Sequence, residues 1–310
     1  MLSDLIQPID QAPPQSGPAL FLAFARRGRP GGWWYPLVIL AGLLLWFVLG
    51  VAVMLALGLS RVVPMDAKTL QDPRQTGPYF TLIFVVFGVL VLGFWAACRL
   101  IQGKRFGDIV GRWRWSLVAK GFGIWFVVVA LNVLADFLLH PKGFTVSPDI
   151  HAPLFVLWVA PALAVQTFAE EFIFRGIITQ GLVRAFKRPW LVCLLSGLIF
   201  GAAHIPNGPI QAVSATMLGV VLAFLALETG GLALGWGLHL VNNLFAGIVV
   251  VSSSDVFNGA HALFYQNTPG LDGLDLAFSV AALLVVVWVL RRWAPLPVED
   301  PDRDVAAYFS

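Results

Sequence analysis

Apolar runs about as long as a bilayer is thick recur along this chain, and they constrain its fold more than any other feature. The clearest runs from Trp34 to Ser60 without a single charged residue. It is long enough to cross about 30 Å of hydrocarbon with room for tilt. Comparable runs lie at about Tyr79–Cys98, Ser116–Leu139, Pro153–Val183, Trp190–His204, Ile210–Leu227, Leu232–Val251 and Leu274–Leu290. Such a pattern predicts an all-α polytopic membrane bundle of about eight transmembrane helices, because helices satisfy their own backbone in lipid. Composition agrees: 12% of residues are charged, half the roughly 25% of an average soluble domain. Trp33, Trp34 and Tyr35 fit an interfacial aromatic belt at the first span.

Charge placement gives an orientation. Arg26, Arg27 and Arg29 precede the first span, and Arg99, Lys104, Arg105, Arg112 and Arg114 follow the second. Arg184, Lys187 and Arg188 follow the fourth, and Arg291 and Arg292 follow the last. Across eight spans these clusters share one side, while the other side holds Arg61, Lys68, Arg74 and Lys142. The basic side is cytoplasmic, so both termini are expected inside. Short basic loops of this kind report topology and speak against nucleic acid as a partner. The domain reading has three parts: a disordered or interfacial segment over 1–32, a membrane domain over 33–293 with its core at about 153–251, and a polar tail over 294–310. Phe21, Leu22 and Phe24 are expected on the lipid side of an interfacial helix. No cleavable signal is expected, because the apolar patch Ala19–Ala25 precedes its arginines instead of following them. Cys98 and Cys193 lie in apolar runs and suggest neither a disulfide nor a CxxC metal site.

Polar groups that lipid would exclude mark a site. The fourth span carries Glu170, Glu171 and Arg175, the fifth carries His204, and the seventh carries His239 and Asn243. Ionisable groups at such depth face a protein interior or a water-filled cavity. At 1.5 Å per residue, Glu171 lies about 20 Å from Arg184, His204 about 24 Å from Arg188, and His239 and Asn243 about 15 and 21 Å from Thr229. Groups from separate spans thus converge on one level. Glu171 and Arg175 stand i,i+4 with the acid first, the favourable order, so that pair neutralises itself. Glu170 points about 100° away and lacks a local partner, which suits a general base. His204 can share a water with it, and His239 and Asn243 can offer donors to a developing oxyanion. Taken singly, each has a plainer reading: an ion pair that braces a helix, or a histidine or asparagine that bonds neighbouring helices. Asn132 and Asp136 read as structural, and His140, His151 and His261 as solvated loop residues.

At these positions the sequence resembles the CAAX-protease and bacteriocin-processing (CPBP, or Abi) family of intramembrane proteases, which includes the Ras-converting CAAX prenyl endopeptidases. The family pattern EExxxR, FxxxH, HxxxN is met in order by Glu170 to Arg175, Phe200 to His204, and His239 to Asn243. The resemblance implies an eight-helix fold with a cavity open to the cytoplasm. It also implies that Glu170 and His204 activate water, that His239 and Asn243 form an oxyanion hole, and that Glu171 and Arg175 shape the site. The expected activity is endopeptidase hydrolysis, with a peptide or membrane-protein substrate and the lipid bilayer as partners. No cofactor is expected. The alternative is zinc held by Glu170, His204 and His239, although no HExxH is present. Two other functions stay in view: a non-catalytic scaffold or bacteriocin-immunity protein of the same fold, and a proton-coupled transporter, which lacks the support of an internal repeat. A multi-pass bacterial inner-membrane location is expected, with the endoplasmic reticulum as the alternative.

Overall fold

A computed structural model describes residues 17–60, 66–147, 152–186 and 188–268, together with Ala281, Leu284 and Trp288. Apart from those three residues the expected eighth span lies outside the described residues, as do the C-terminal tail and residues 1–16. The architecture is an all-α polytopic bundle. Its helices are α1 (Gly17–Arg26), α2 (Trp34–Ser60), α3 (Ala67–Gln71), α4 (Thr76–Ala97), α5 (Phe106–Val110), α6 (Trp115–Leu139) and α7 (Val156–Ile173). They continue as α8 (Gln180–Ala185), α9 (Pro189–Ala203), α10 (Pro209–Thr229) and α11 (Ala233–Leu244). Among the described residues, five helical stretches are long and apolar enough to cross a membrane: Trp34–Ser60, Thr76–Gln102, Trp115–Leu139, Val156–Ala185 and Pro209–Thr229. The expected fifth and seventh spans are shorter helices, Pro189–Ala203 and Ala233–Val249.

Lipid-facing surface is written on α2, where Leu40, Phe47 and Leu55 are exposed. Apolar patches of this extent do not occur on soluble monomers and are covered by lipid. The site-bearing helices are packed inward instead, and half of the most apolar window of Val156–Ala185 is buried. Glycine permits the closest approaches. Gly197 and Gly201 stand four apart on α9, and a Cβ on Gly201 would fall 1.8 Å from Thr216 Oγ1 of α10. This is the small-xxx-small solution to packing helices without a hydrophobic driving force.

Two ends of the bundle differ in kind. At the basic end the loops are stitched together: Arg29 N–H donates to Gln102 O, Arg112 N–H to Gly230 O, and Leu232 N–H to Val110 O. At the other end sits a three-stranded sheet that the helical reading did not anticipate. It comprises β1 (Phe144–Val146), β2 (Val250–Ser252) and β3 (Phe264–Gln266), in the order β1-β3-β2. β1 runs antiparallel to β3 with Phe144 opposite Gln266, and β2 runs parallel to it with Val250 opposite Phe264. Strands this short carry little periodic signal, and their pairing is non-local.

α1 also differs from expectation. Phe21 and Leu22 are 1% and 4% exposed, buried against protein instead of lying at a lipid surface. Lys104 explains the docking. Its ammonium, in the middle of a basic loop, is buried and donates to Phe24 O, Ala25 O, Tyr35 Oη and Gln180 Oε1. One lysine thus joins α1, α2 and α8.

Lys104→Met strands these acceptors and should lower stability by about 2–4 kcal/mol, read by thermal unfolding in detergent. Burial pushes the Lys104 ammonium down to about 8. Between that value and the ordinary lysine value of about 10.4, the unfolded chain binds more protons. Stability therefore rises with pH across this window relative to Lys104→Met, and a flat difference between the two unfolding curves would contradict it.

Candidate active site

α7 positions four polar side chains in succession. Helical spacing sets Gln166 and Glu170 on one face, and Glu171 and Arg175 on the adjacent face. Arg175 falls within a π-helical turn, Phe174–Thr179, that follows α7 directly. π turns of this kind gather at functional sites because the extra residue re-aims side chains.

The core of the site is a buried charge network. Arg175 Nη1 donates to Glu171 Oε1 at 2.9 Å, with both side chains essentially inaccessible. His239 of α11 brings Nδ1 to within 2.8 Å of the same oxygen. Its other ring nitrogen, Nε2, faces Glu170 Oε2 at 3.5 Å. One imidazole therefore stands between the two carboxylates. The Arg175 guanidinium lies 4.3 Å from the centre of the Phe200 ring, a cation–π contact that the dry surroundings strengthen. Phe200 also meets His239 edge-on at 5.8 Å. The phenylalanine of FxxxH thus does more than fill space: it floors the network.

Glu170 is not without a local partner, contrary to the helical-wheel expectation. Gln166, one turn earlier, donates Nε2 to Glu170 Oε1 at 2.9 Å. Gln166 Oε1 in turn accepts from Asn243 Nδ2 at 3.2 Å. Asn243 Oδ1 accepts from Asn242, and Asn242 Oδ1 accepts from Trp125 Nε1 of α6. A relay of amides therefore runs from the α6 wall to the carboxylate. Gln166 was missed in the sequence, although an amide four residues before a glutamate inside an apolar run is the signal that could have found it. Glu170 Oε2 has no hydrogen-bond partner among the described residues, and neither has Glu171 Oε2.

His204 stands apart from this network. It caps α9, and its Nδ1 lies 2.8 Å from Phe200 O. It joins Gln166, His239 and Asn243 in lining one cavity of about 390 Å³. The glutamates sit behind that wall, with Glu170 8% exposed and Glu171 fully buried. Among the described residues no three His, Cys, Asp or Glu side chains are grouped to hold a metal ion. Of the three residues of the zinc alternative, His239 turns both ring nitrogens to the carboxylates.

The cavity lies in the half of the bundle away from the basic loops. Asn207, Ser252 and Gln266, which line it, belong to the end that carries the sheet. Helix direction causes this: His204 and Asn243 lie toward the C-terminal ends of α9 and α11, both of which start at the basic end. The family resemblance had implied an opening to the cytoplasm.

Residues 152–245 match the family model described as type II CAAX prenyl endopeptidase Rce1-like. This part of the chain is similar to that family. Glu170, Glu171, Arg175, His204, His239 and Asn243 all fall inside the matched segment. The matched segment is thus similar to CAAX-type prenyl endopeptidases, and it is set in a polytopic membrane protein. The chain is also 28% identical over 233 residues to Uncharacterized protein YyaK of Bacillus subtilis (strain 168), covering 71% of this chain and 76% of that relative. No solved structure matches it.

Arg175→Met should destabilise the protein by about 3–5 kcal/mol, because it leaves Glu171 as a buried uncompensated charge. Adding Glu171→Gln removes that charge and should recover part of the loss. Unfolding of the single and double variants in detergent measures this, and an additive further loss would contradict the pairing.

Proposed function

We propose that the protein is an intramembrane endopeptidase that hydrolyses peptide bonds with a water activated by Glu170 and His204. The observation that carries the reading is Glu170 Oε2. It is a buried carboxylate oxygen without a hydrogen-bond partner among the described residues, 3.5 Å from an imidazole nitrogen and just behind a cavity wall. A water held there could lose its proton to Glu170 as its oxygen bonds to the substrate carbonyl carbon. The carbon–nitrogen bond then breaks, and Glu170 passes the proton to the leaving amine. His204, on the same cavity wall, steadies the water. His239 and Asn243 supply donors to the oxyanion once a carbonyl competes for their present partners. Glu171 and Arg175 hold His239 in place. Gln166 aims Glu170. No metal enters this scheme, and zinc remains the alternative that the test separates.

The Rce1-like match supports a peptide substrate and a membrane setting. A bacterial inner membrane is the proposed location, with peptide or membrane-protein substrates and the bilayer as partners.

The test is cleavage in liposomes of a panel of peptides and membrane proteins. Glu170→Gln and His204→Ala should each lower kcat by about 10²- to 10⁴-fold while the protein stays folded. A strong zinc chelator should leave the wild type active. Loss of activity with the chelator would move the mechanism to zinc, and full activity of Glu170→Gln would overturn the assignment of the base.

Gln166→Leu removes the hydrogen bond that aims Glu170 without removing the base. It should lower kcat about ten-fold with KM little changed. An unaltered kcat would show that the amide relay has no part in catalysis.

A further inference from the structure

We propose that Trp125 and Asn242 are positioning residues for Glu170. The Trp125 indole N–H sets the direction of a chain of three amides, Asn242, Asn243 and Gln166, that ends on the carboxylate. This rests on the protease reading and gives roles to two residues outside the EExxxR, FxxxH and HxxxN pattern.

An amide can turn over end for end with almost no change of shape, exchanging an acceptor for a donor. The two ends of this chain remove that freedom. An indole nitrogen donates only, and Trp125 Nε1 donates to Asn242 Oδ1 at 3.0 Å. A carboxylate accepts only, and Glu170 Oε1 accepts from Gln166 Nε2 at 2.9 Å. Between them Asn242 Nδ2 donates to Asn243 Oδ1, and Asn243 Nδ2 donates to Gln166 Oε1, each at 3.2 Å. Turning over any one amide would set donor against donor and acceptor against acceptor. The whole chain therefore has one polarity, from indole to carboxylate.

The donor at its head is held still. Trp125 is buried in a cluster with Leu222, Leu225, Leu234 and Leu238. About one turn before it, α6 meets α11 at backbone contact. A Cβ on Gly121 would fall 2.2 Å from Leu234 O, and one on Gly237 would fall 2.2 Å from Val118 O. That close approach brings the indole of α6 within reach of Asn242 on α11.

Polarity matters at both functional groups. The chain engages Glu170 Oε1 and leaves Oε2, which has no hydrogen-bond partner among the described residues, to take a proton from water. It also turns the nitrogen of Asn243, not its oxygen, toward Gln166. That nitrogen carries two hydrogens, so one holds Gln166 while the other serves an oxyanion. In a reversed chain Gln166 would turn its oxygen to the carboxylate, and Glu170 would lose the bond that aims it.

Cleavage of the peptide and membrane-protein panel in liposomes tests this. Trp125→Phe and Asn242→Leu should each lower kcat about ten-fold with KM little changed. Residues in series act as a unit, so Trp125→Phe added to Gln166→Leu should cost no more than Gln166→Leu alone. A multiplied loss of about a hundred-fold would overturn the proposal, as would a raised KM at unchanged kcat, and either would leave Glu170 standing as the base. A second measurement needs no turnover. The Trp125 indole N–H resonance in detergent is assigned by its loss in Trp125→Phe. Hydrogen bonds in a chain polarise one another, so Gln166→Leu, farther along the chain, should shift it. An unmoved resonance would overturn the proposal. A shifted resonance with no cleavage by the wild type would leave the chain standing and count against the protease reading.

Discussion

The rest of the site depends on one buried contact, the pairing of Glu171 with Arg175 beneath the imidazole of His239. Either charge alone would be costly at this depth, since taking an ion out of water costs several kcal/mol. Together, and with a ring face under the guanidinium, they form a fixed polar post in an apolar bundle. His239 leans on that post through one nitrogen. Its other nitrogen is thereby aimed at Glu170. Orientation passes from the ion pair to the Glu170 carboxylate through a single ring, as supporting hydrogen bonds set side-chain orientation elsewhere.

The post holds only because the helices around it come close. Gly201 brings α9 against Thr216 of α10, and Gly219 lets the α10 backbone approach Phe200. Gly219 O then lies 3.4 Å from Arg175 Nη2. A larger residue at either glycine would push Phe200 or the α10 carbonyl away from the guanidinium. Packing and electrostatics are therefore one design here, with small residues setting the distance at which the charges are satisfied.

Much of this could be read from the sequence, for physical reasons. Apolar runs as long as Trp34–Ser60 admit few structures, and i,i+4 spacing alone pairs Glu171 with Arg175. Depth counted from the basic loops brought His204, His239 and Asn243 to one level, and the cavity gathers all three. Other features depend on contacts between distant segments. The partner of Glu170 is Gln166, a residue absent from the sequence reading, and Asn243 of α11 bonds it in turn. Lys104 reads as a loop cation, and only the arrival of α1 and α8 makes it an interior one. Strands of three residues, such as β1 and β3, have too little periodicity to announce themselves.

The position of the cavity follows from helix length. α9 has 15 residues, about 22 Å of helix against roughly 30 Å of hydrocarbon. α11 has 12, and a π turn, Phe245–Val249, then leads it into β2. Both begin at the basic end, where Leu232, just before α11, is tied to Val110. They stop short of the opposite face. The chain beyond them is no longer α-helical, with a 3-10 turn at Ile205–Asn207 after α9 and the small sheet after α11. Irregular backbone at membrane depth is tolerated only where protein covers it or water reaches it. Two short helices set side by side thus create a recess on one side of the membrane, and its floor falls at the level of His204, Gln166 and Asn243. A bundle of full-length helices with the same polar residues would bury them in protein and leave no room for a substrate. The truncation of α9 and α11 is what opens a buried polar network to a cavity.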